Sequence, residues 1–414
     1  MVATRSQRAA AAARRALQVD DVLTGVLLQL DVREGCLRSV ASISKAWRSA
    51  WRRRCAGQFR LLRTGIGVFR YASHVTALAN GGAIVPDYGH FRLEALSPDG
   101  DRQAIYCANI ETPGAMALLG DGTAWVLSRD YGVISRLRYR EGEGAEPPRN
   151  RWPRSLPRES WDDSDEDEEY IPGDDLGRIS VLVDINALRL RPHGDLHPHD
   201  LAVSGDRLLV LCGGRWNRRY ARICVFDSQT GAFLYHIGRG LDAGEADGLN
   251  GPTALATHQD LCFVADTCNH AIKIFNFRQR ELVRTIGSPA AAPTFPTTRD
   301  SDDDDEVDPY YILAGYEDAR RSDLPCEFNE PIGVAFQDGR LYVSEWGNRR
   351  IQIIRFVDGI HGAVECLQII QSPIGKHLYG LCVSGERLWC VGSTVSDVRM
   401  AYWKGCLHLF TACV

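Results

Sequence analysis

From residue 60 onward, apolar and polar positions alternate in short runs. LCFVAD (261–266), AIKIFNF (271–277), RLYVSE (340–345) and RIQIIRF (350–356) are each bounded by Gly, Asp, Asn or Gln. Alternation with a period of two, cut by turn residues, predicts strands. One unit recurs: a small apolar strand, a Gly/Asp turn, a second strand ending in Asp or Glu, a polar turn, and a third strand. Its clearest copies, 252–277 and 331–356, align without a gap: Ala256 falls on Ala335, Asp266 on Glu345, Asn269 on Asn348 and Ile272 on Ile351. Looser copies cover 74–96, 113–139 and 197–226, and a last one starts at 378, which makes six. The pattern differs at the other end of the chain. Val19, Val22, Leu23, Val26, Leu27 and Leu30 share one face at helical spacing. A break at 31–35 separates them from a second face made by Leu37, Val40, Ala41, Ser44, Trp47 and Trp51.

Repeats of about 40 residues built only of strands are propeller blades. The last copy stops after its third strand, CLHLFTACV (406–414), while RLLRTGI (60–66) reads like the fourth strand ELVRTIG (281–287) of an earlier copy. Residues 59–66 are therefore expected to complete the last blade, joining the chain ends and removing an open sheet edge. The expected organisation is a leader over 1–16, a helical head over 17–57 and a mainly β body over 58–414.

Composition alters this picture in three places. Of 414 residues, 44% are hydrophobic and 24% charged, enough to bury a sizeable core, and no run is long and apolar enough for a membrane helix. The net charge of −5 is split: residues 1–60 hold 12 Lys+Arg against 4 Asp+Glu, a net of +8, which leaves −13 for the rest. Two stretches, 141–177 with SDEDEE and 288–327 with SDDDDEVD, are too charged to order themselves and read as disordered inserts. The first falls between the third and fourth strands of its blade and the second between blades, so they should leave opposite faces. The leader MVATRSQRAAAAARRA reads as a frayed end, with an organelle transit peptide as the alternative. The 13 cysteines form no CxxC pair, and most stand in apolar runs, so buried reduced thiols in a cytoplasmic or nuclear protein are expected.

Two family resemblances follow from these residues. The copies at 252–277 and 331–356 resemble the NHL repeat, with a Pro-led first strand, a second strand ending in Asp or Glu, and Asn-x-x-Ile entering the third. That resemblance covers roughly 60–414 and implies a six-bladed β-propeller. The head resembles an F-box in its acidic pair, its Val-Leu-x-x-Val-Leu-x-x-Leu-Asp-Val run and its closing SISKAWRSAW. It implies a Skp-family adaptor held by Val22, Leu23, Val26, Leu27, Leu30 and Trp47. Together they imply a substrate receptor of a cullin–RING ubiquitin ligase, monomeric outside that complex, with no bond chemistry of its own. Two alternatives stay open: a propeller scaffold whose head is only a cap, and a propeller lyase or lactonase with a metal in its channel.

Candidate chemistry is sparse. HExxH, GxSxG, Walker and Rossmann patterns are absent from the sequence. His197 and His199 alternate along a predicted strand, which would put both imidazoles on one face. Two are too few for a closed zinc site, so no metal, cofactor or catalytic residue is expected. The turns after the second strands carry Arg215, Trp216, Arg218 and Arg219 in one blade, and Trp346, Arg349 and Arg350 in another. Trp and Arg are types enriched in binding hot spots, so Arg215, Trp216, Arg218, Trp346 and Arg349 are candidate partner contacts. A net negative body argues against nucleic acid. Ser164 and Ser301 precede acidic runs and fit acidophilic kinases, with unmodified solvated loops as the alternative.

Overall fold

The computed structural model describes residues 58–90, 92–106, 112–129, 132–138, 183–184, 196–214, 221–240, 247–287, 324–373, 375–393 and 404–412. Residues 1–57, where a leader and a helical head are expected, most of both acidic inserts and residues 215–220 lie outside these residues. Six four-stranded antiparallel sheets follow in chain order. Blade one uses Thr76–Ala77, Ala83–Asp87, Arg92–Leu96 and Arg102–Tyr106, and blade two Pro113–Leu118, Thr123–Ser128, Val133–Arg138 and Val183–Asp184. Blade three uses Leu196–Ser204, Arg207–Gly214, Arg222–Asp227 and Phe233–Ile237, and blade four Pro252–His258, Leu261–Asp266, Ala271–Asn276 and Glu281–Gly287. Blade five uses Pro331–Gln337, Arg340–Glu345, Arg350–Phe356 and Val364–Gln371. Blade six takes Leu378–Ser384, Arg387–Ser393 and Lys404–Ala412, then borrows Phe59–Arg70 as its fourth strand, where the likeness of 60–66 to 281–287 placed it. Each first strand touches the first strands of the two neighbouring blades, and blade six touches blade one, so the ring is closed.

The chain divides into two compact units, residues 63–409 and a smaller one of 1–62 with 410–414. In the smaller unit the described residues are strand ends only. The larger unit holds the blade interfaces, and the strand period builds them. Along the second strand of blade three, Leu208, Val210 and Cys212 pack toward blade two, where they meet Trp125 and Leu127. Their alternates Leu209 and Leu211 pack toward blade four, against Cys262 and Val264. Phe263 and Ala265 then face blade five, with Leu341 and Val343. Each second strand is thus buried on both sides, which is why it reads as a continuous apolar run. Two fully buried tryptophans bond across to the next blade: Trp125 Nε1 donates to the carbonyl of Ser228 at 2.9 Å and Trp389 Nε1 to that of Gly81 at 3.1 Å. The second bond joins blade six to blade one.

A turn after each second strand, and each passage between blades, lie on one face of this ring; the other turns lie on the opposite face. Blade two's third strand ends at Arg138 and its fourth begins at Val183, whereas Gly287 and Pro331 end and begin whole blades. The two acidic inserts are therefore bounded by strand ends on opposite faces.

Candidate functional site

The ends of the second strands hold a repeated polar device. Asp87, Asp266 and Glu345 are fully buried there. Glu345 Oε2 accepts the amide of Asn329 at 3.0 Å and the Asn348 side chain at 2.6 Å. Its Oε1 accepts Arg350 Nε at 2.7 Å and Gln352 Nε2 at 2.8 Å. One blade earlier, Asp266 accepts the amide of Asn250 at 2.6 Å and the Asn269 side chain at 2.7 Å, with Lys273 Nζ at 3.2 Å. Burial pushes the Asp266 carboxyl up from its ordinary range, against the opposing pull of Lys273. Asp87 accepts the amide of Arg70 at 2.8 Å and meets His90 at 2.7 Å and Arg92 at 3.0 Å. Each carboxylate thus joins the segment entering its blade to the turn beyond the second strand. Asp266, Asn269, Glu345 and Asn348, aligned from the repeat, are structural. So is Arg350, whose guanidinium also donates to the carbonyls of Leu324 and Glu327.

Two of the candidate partner contacts fall in that turn of blade five. Trp346 is half-buried, and its indole stacks on His377 at 3.8 Å between ring centres and 11° between planes. Arg349 is exposed, sits at φ 52° and donates from Nη1 to the carbonyl of Gly375 at 3.3 Å. Both stand on the face that carries the blade passages. Arg215, Trp216, Arg218 and Arg219 fall outside the described residues, as do Val22, Leu23, Val26, Leu27, Leu30 and Trp47.

The channel is where the tertiary structure adds chemistry. A cavity of about 200 Å³ is lined by first-strand residues, among them Asp200, Ala254, Gly333 and Gly380, and by His74 from the segment entering blade one. One level of it is set by a repeated bulge. The ladder slips after Pro198, Pro252 and Pro331, so Asp200, Ala254 and Gly333 pair in turn with Leu211, Ala265 and Ser344. The bulge corrects the reading of His197 and His199: the extra residue in blade three is His199 itself, so simple alternation does not carry from one histidine to the other.

Small residues at this level leave room for His74 and Asp200 to approach, with Nε2 and Oδ1 3.8 Å apart. Ser73 Oγ lies 2.8 Å from His74 Nδ1. A serine, a histidine and an aspartate therefore stand in a row, but their bonding is not that of a nucleophilic triad. Both Asp200 oxygens are taken by backbone amides, Leu201 at 2.8 Å and Leu255 at 2.9 Å, and the imidazole lies beyond hydrogen-bond reach. Burial, aided by Arg129, lowers His74 to about 4, and burial raises Asp200 to about 7 despite its two amide donors. Between those values both groups are neutral, and an imidazole held neutral to about 4 is a weak base. Asp200 ties blade three to blade four through the Leu255 amide, and His74, from the segment entering blade one, hydrogen-bonds the backbone of Thr253 in blade four. No sequence signal pointed to this pair: His74 opens the copy at 74–96 and Asp200 falls in the copy at 197–226, but neither is among the residues that the two clear copies share. Among the described residues no three His, Cys, Asp or Glu side chains converge as metal ligands, and no helix is long and apolar enough to cross a membrane.

No family model and no curated protein matches the chain. Solved structures do. A luciferin-regenerating enzyme superimposes with a TM-score of 0.51 at 9% identity, over 85% of this chain and 94% of that one. The aldose sugar dehydrogenase of Streptomyces coelicolor, in its PQQ-bound form, gives 0.48 at 13% identity, over 86% and 99%. A streptogramin B lyase gives 0.44 at 13% identity, over 85% and 98%. At these identities the likeness is one of fold, and the fold of this chain is a six-bladed β-propeller.

Proposed function

We propose that the chain is the substrate-receptor subunit of a cullin–RING ubiquitin ligase. The observation that carries the reading is one of order along the chain. The segment 17–57, which resembles an F-box, ends two residues before Phe59, where the fourth strand of blade six begins. In this reading Val22, Leu23, Val26, Leu27, Leu30 and Trp47 grip a Skp-family adaptor that links the chain to the cullin. The propeller holds a target protein on the face that carries Trp346 and Arg349, with Arg215, Trp216 and Arg218 contributing from blade three. The subunit makes and breaks no bonds. It raises the local concentration of target lysines beside the charged conjugating enzyme, and proximity does the rest. The bonding of Ser73, His74 and Asp200, which braces the channel rather than arming a nucleophile, agrees with a binding role.

The test is capture of a purified Skp-family adaptor by the full chain, with Trp47→Ala alongside. Wild type should retain the adaptor, and Trp47→Ala should lose it while the unfolding midpoint of the propeller stays put. A wild-type chain that captures no adaptor overturns the receptor reading and leaves an interaction scaffold.

A further inference from the structure

Four blades share one pair of equivalent positions, and in blade three both are cysteines. Strand register makes the positions equivalent. Cys212, Asp266, Glu345 and Ser128 lie on the second strands of their blades, paired in turn with Pro198, Pro252, Pro331 and Pro113; the last three end their strands, and Cys212 stands two residues before the end of its own. On the third strands, Cys224, Lys273, Gln352 and Ser135 pair with Val210, Val264, Val343 and Val126. In each case the two positions are diagonal neighbours on one sheet face. Blade four fills them with an ion pair, Asp266–Lys273, at 3.2 Å. Blade five fills them with a hydrogen bond, Gln352 to Glu345, at 2.8 Å. Blade three fills them with two thiols, whose sulfurs are 3.8 Å apart.

We propose that Cys212 and Cys224 form a reversible disulfide under peroxide, fastening blade three at the positions where blades four and five are fastened by polar pairs. Both thiols are buried, at 0% and 2% exposed, so the oxidant is one as small as peroxide, admitted by local opening of the blade. Cys224 is the attacking sulfur. The Cys212 thiol points its hydrogen at Cys224, so Cys224 is held below the usual thiol range while Cys212 is held above it, and Arg222 favours a thiolate at either sulfur. The other described thiols with a resolved shift (Cys262, Cys326, Cys366, Cys382, Cys390 and Cys406) are all pushed up by burial, which makes them poorer nucleophiles. In the first step the Cys224 thiolate attacks one peroxide oxygen, the O–O bond breaks, and the departing hydroxide takes up a proton to leave as water. The sulfenic acid then condenses with the Cys212 thiol: the S–S bond forms, the S–O bond breaks and a second water leaves. Two thiols and one peroxide thus become one disulfide and two waters. The covalent loop runs through Arg215, Trp216 and Arg218, and it forms whether or not the receptor reading holds.

The experiment treats the full-length folded protein with hydrogen peroxide, quenches it, alkylates it in denaturant and maps its peptides without reduction. The expected result is one linked peptide pair joining Cys212 to Cys224, lighter than the two thiol peptides by two hydrogens and reversed by dithiothreitol. Cys212→Ser should give instead a dimedone adduct on Cys224, because the sulfenic acid then has no partner. Wild-type protein in which both cysteines alkylate as free thiols, or in which another pair such as Cys326 and Cys366 links first, overturns the proposal. The wild-type arm does not depend on the variant folding.

Discussion

Removing the Glu345 carboxylate should be among the most damaging single changes available in blade five, and a second change should repair part of it. Glu345 is fully buried and accepts four hydrogen bonds, from Asn329, Asn348, Arg350 and Gln352. Arg350 is itself only 2% exposed. In Glu345→Ala the guanidinium keeps its two carbonyl acceptors but loses its counter-charge, and breaking a buried pair from one side costs about 3–5 kcal/mol. The orphaned Asn and Gln donors fall within that figure in part, since the space left can admit water. The expected loss is therefore about 4 kcal/mol, read as a lower urea midpoint at unchanged slope. Glu345→Ala with Arg350→Met deletes both charges and retains the stem that packs against its surroundings. It should recover roughly 1–3 kcal/mol of the loss. The control is Arg349→Ala, one residue away but exposed, which should lie within about 0.5 kcal/mol of wild type. A Glu345→Ala protein that loses less than about 1 kcal/mol, or a double variant no better than the single, would refute the claim that an uncompensated buried guanidinium dominates the cost.

Three further outcomes follow from the channel and the blade ends. His74 and His408 are both lowered to about 4 by burial, so their contribution is complete above 6.5 and is lost as the pH falls toward 4; Asp200, raised to about 7, works the other way, contributing at low pH and losing its contribution as the pH rises through 7. Each proton sets a limiting slope of about 1.4 kcal/mol per pH unit, so Asp200→Asn should steepen the rise in stability between pH 4 and 6.5 in chemical unfolding, and an unchanged slope would show that Asp200 does not titrate there. Gly380→Ala would set a methyl 2.4 Å from the carbonyl oxygen of Ser73, which already accepts the Gly380 amide at 2.9 Å; the strand must shift, at about 1–3 kcal/mol, and a neutral result in thermal unfolding would mean that the passage into blade one yields freely. Gly392→Ala runs into His408 Nε2 instead, a buried ring whose Nδ1 is held by Thr64 Oγ1 at 2.8 Å, and should cost a similar amount by the same assay.

The β body was legible because its signals are local. Alternation within LCFVAD or RLYVSE, the turns that cut it and the gapless match of 252–277 to 331–356 depend on residues a few positions apart, and a strand's period is a property of the backbone. Completion of blade six by Phe59–Arg70 was legible for the same reason, as one fourth strand resembles another. Alternation failed at His199, where a bulge inserts one residue with no mark in composition. The repeat alignment also picked out Asp266, Glu345, Asn269 and Asn348 without saying whether they bind partners or fasten blades. Their bonds to Asn250 and Asn329 answer that, and those bonds form with chain that precedes each blade.

By itself, then, the sequence determined six strand repeats, their order, the borrowed closing strand and the charge split between head and body. The tertiary structure alone decided which chemistry meets. His74 and Asp200 are 126 positions apart and belong to blades separated by another, yet closing the ring brings them to 3.8 Å because the residues beside them at that level are Ala and Gly. Cys212 and Cys224 touch because strand register sets them on one diagonal of one face. Neither contact has a local signature: a sequence pattern reports the face on which a side chain lies, and only the packed ring reports what faces it.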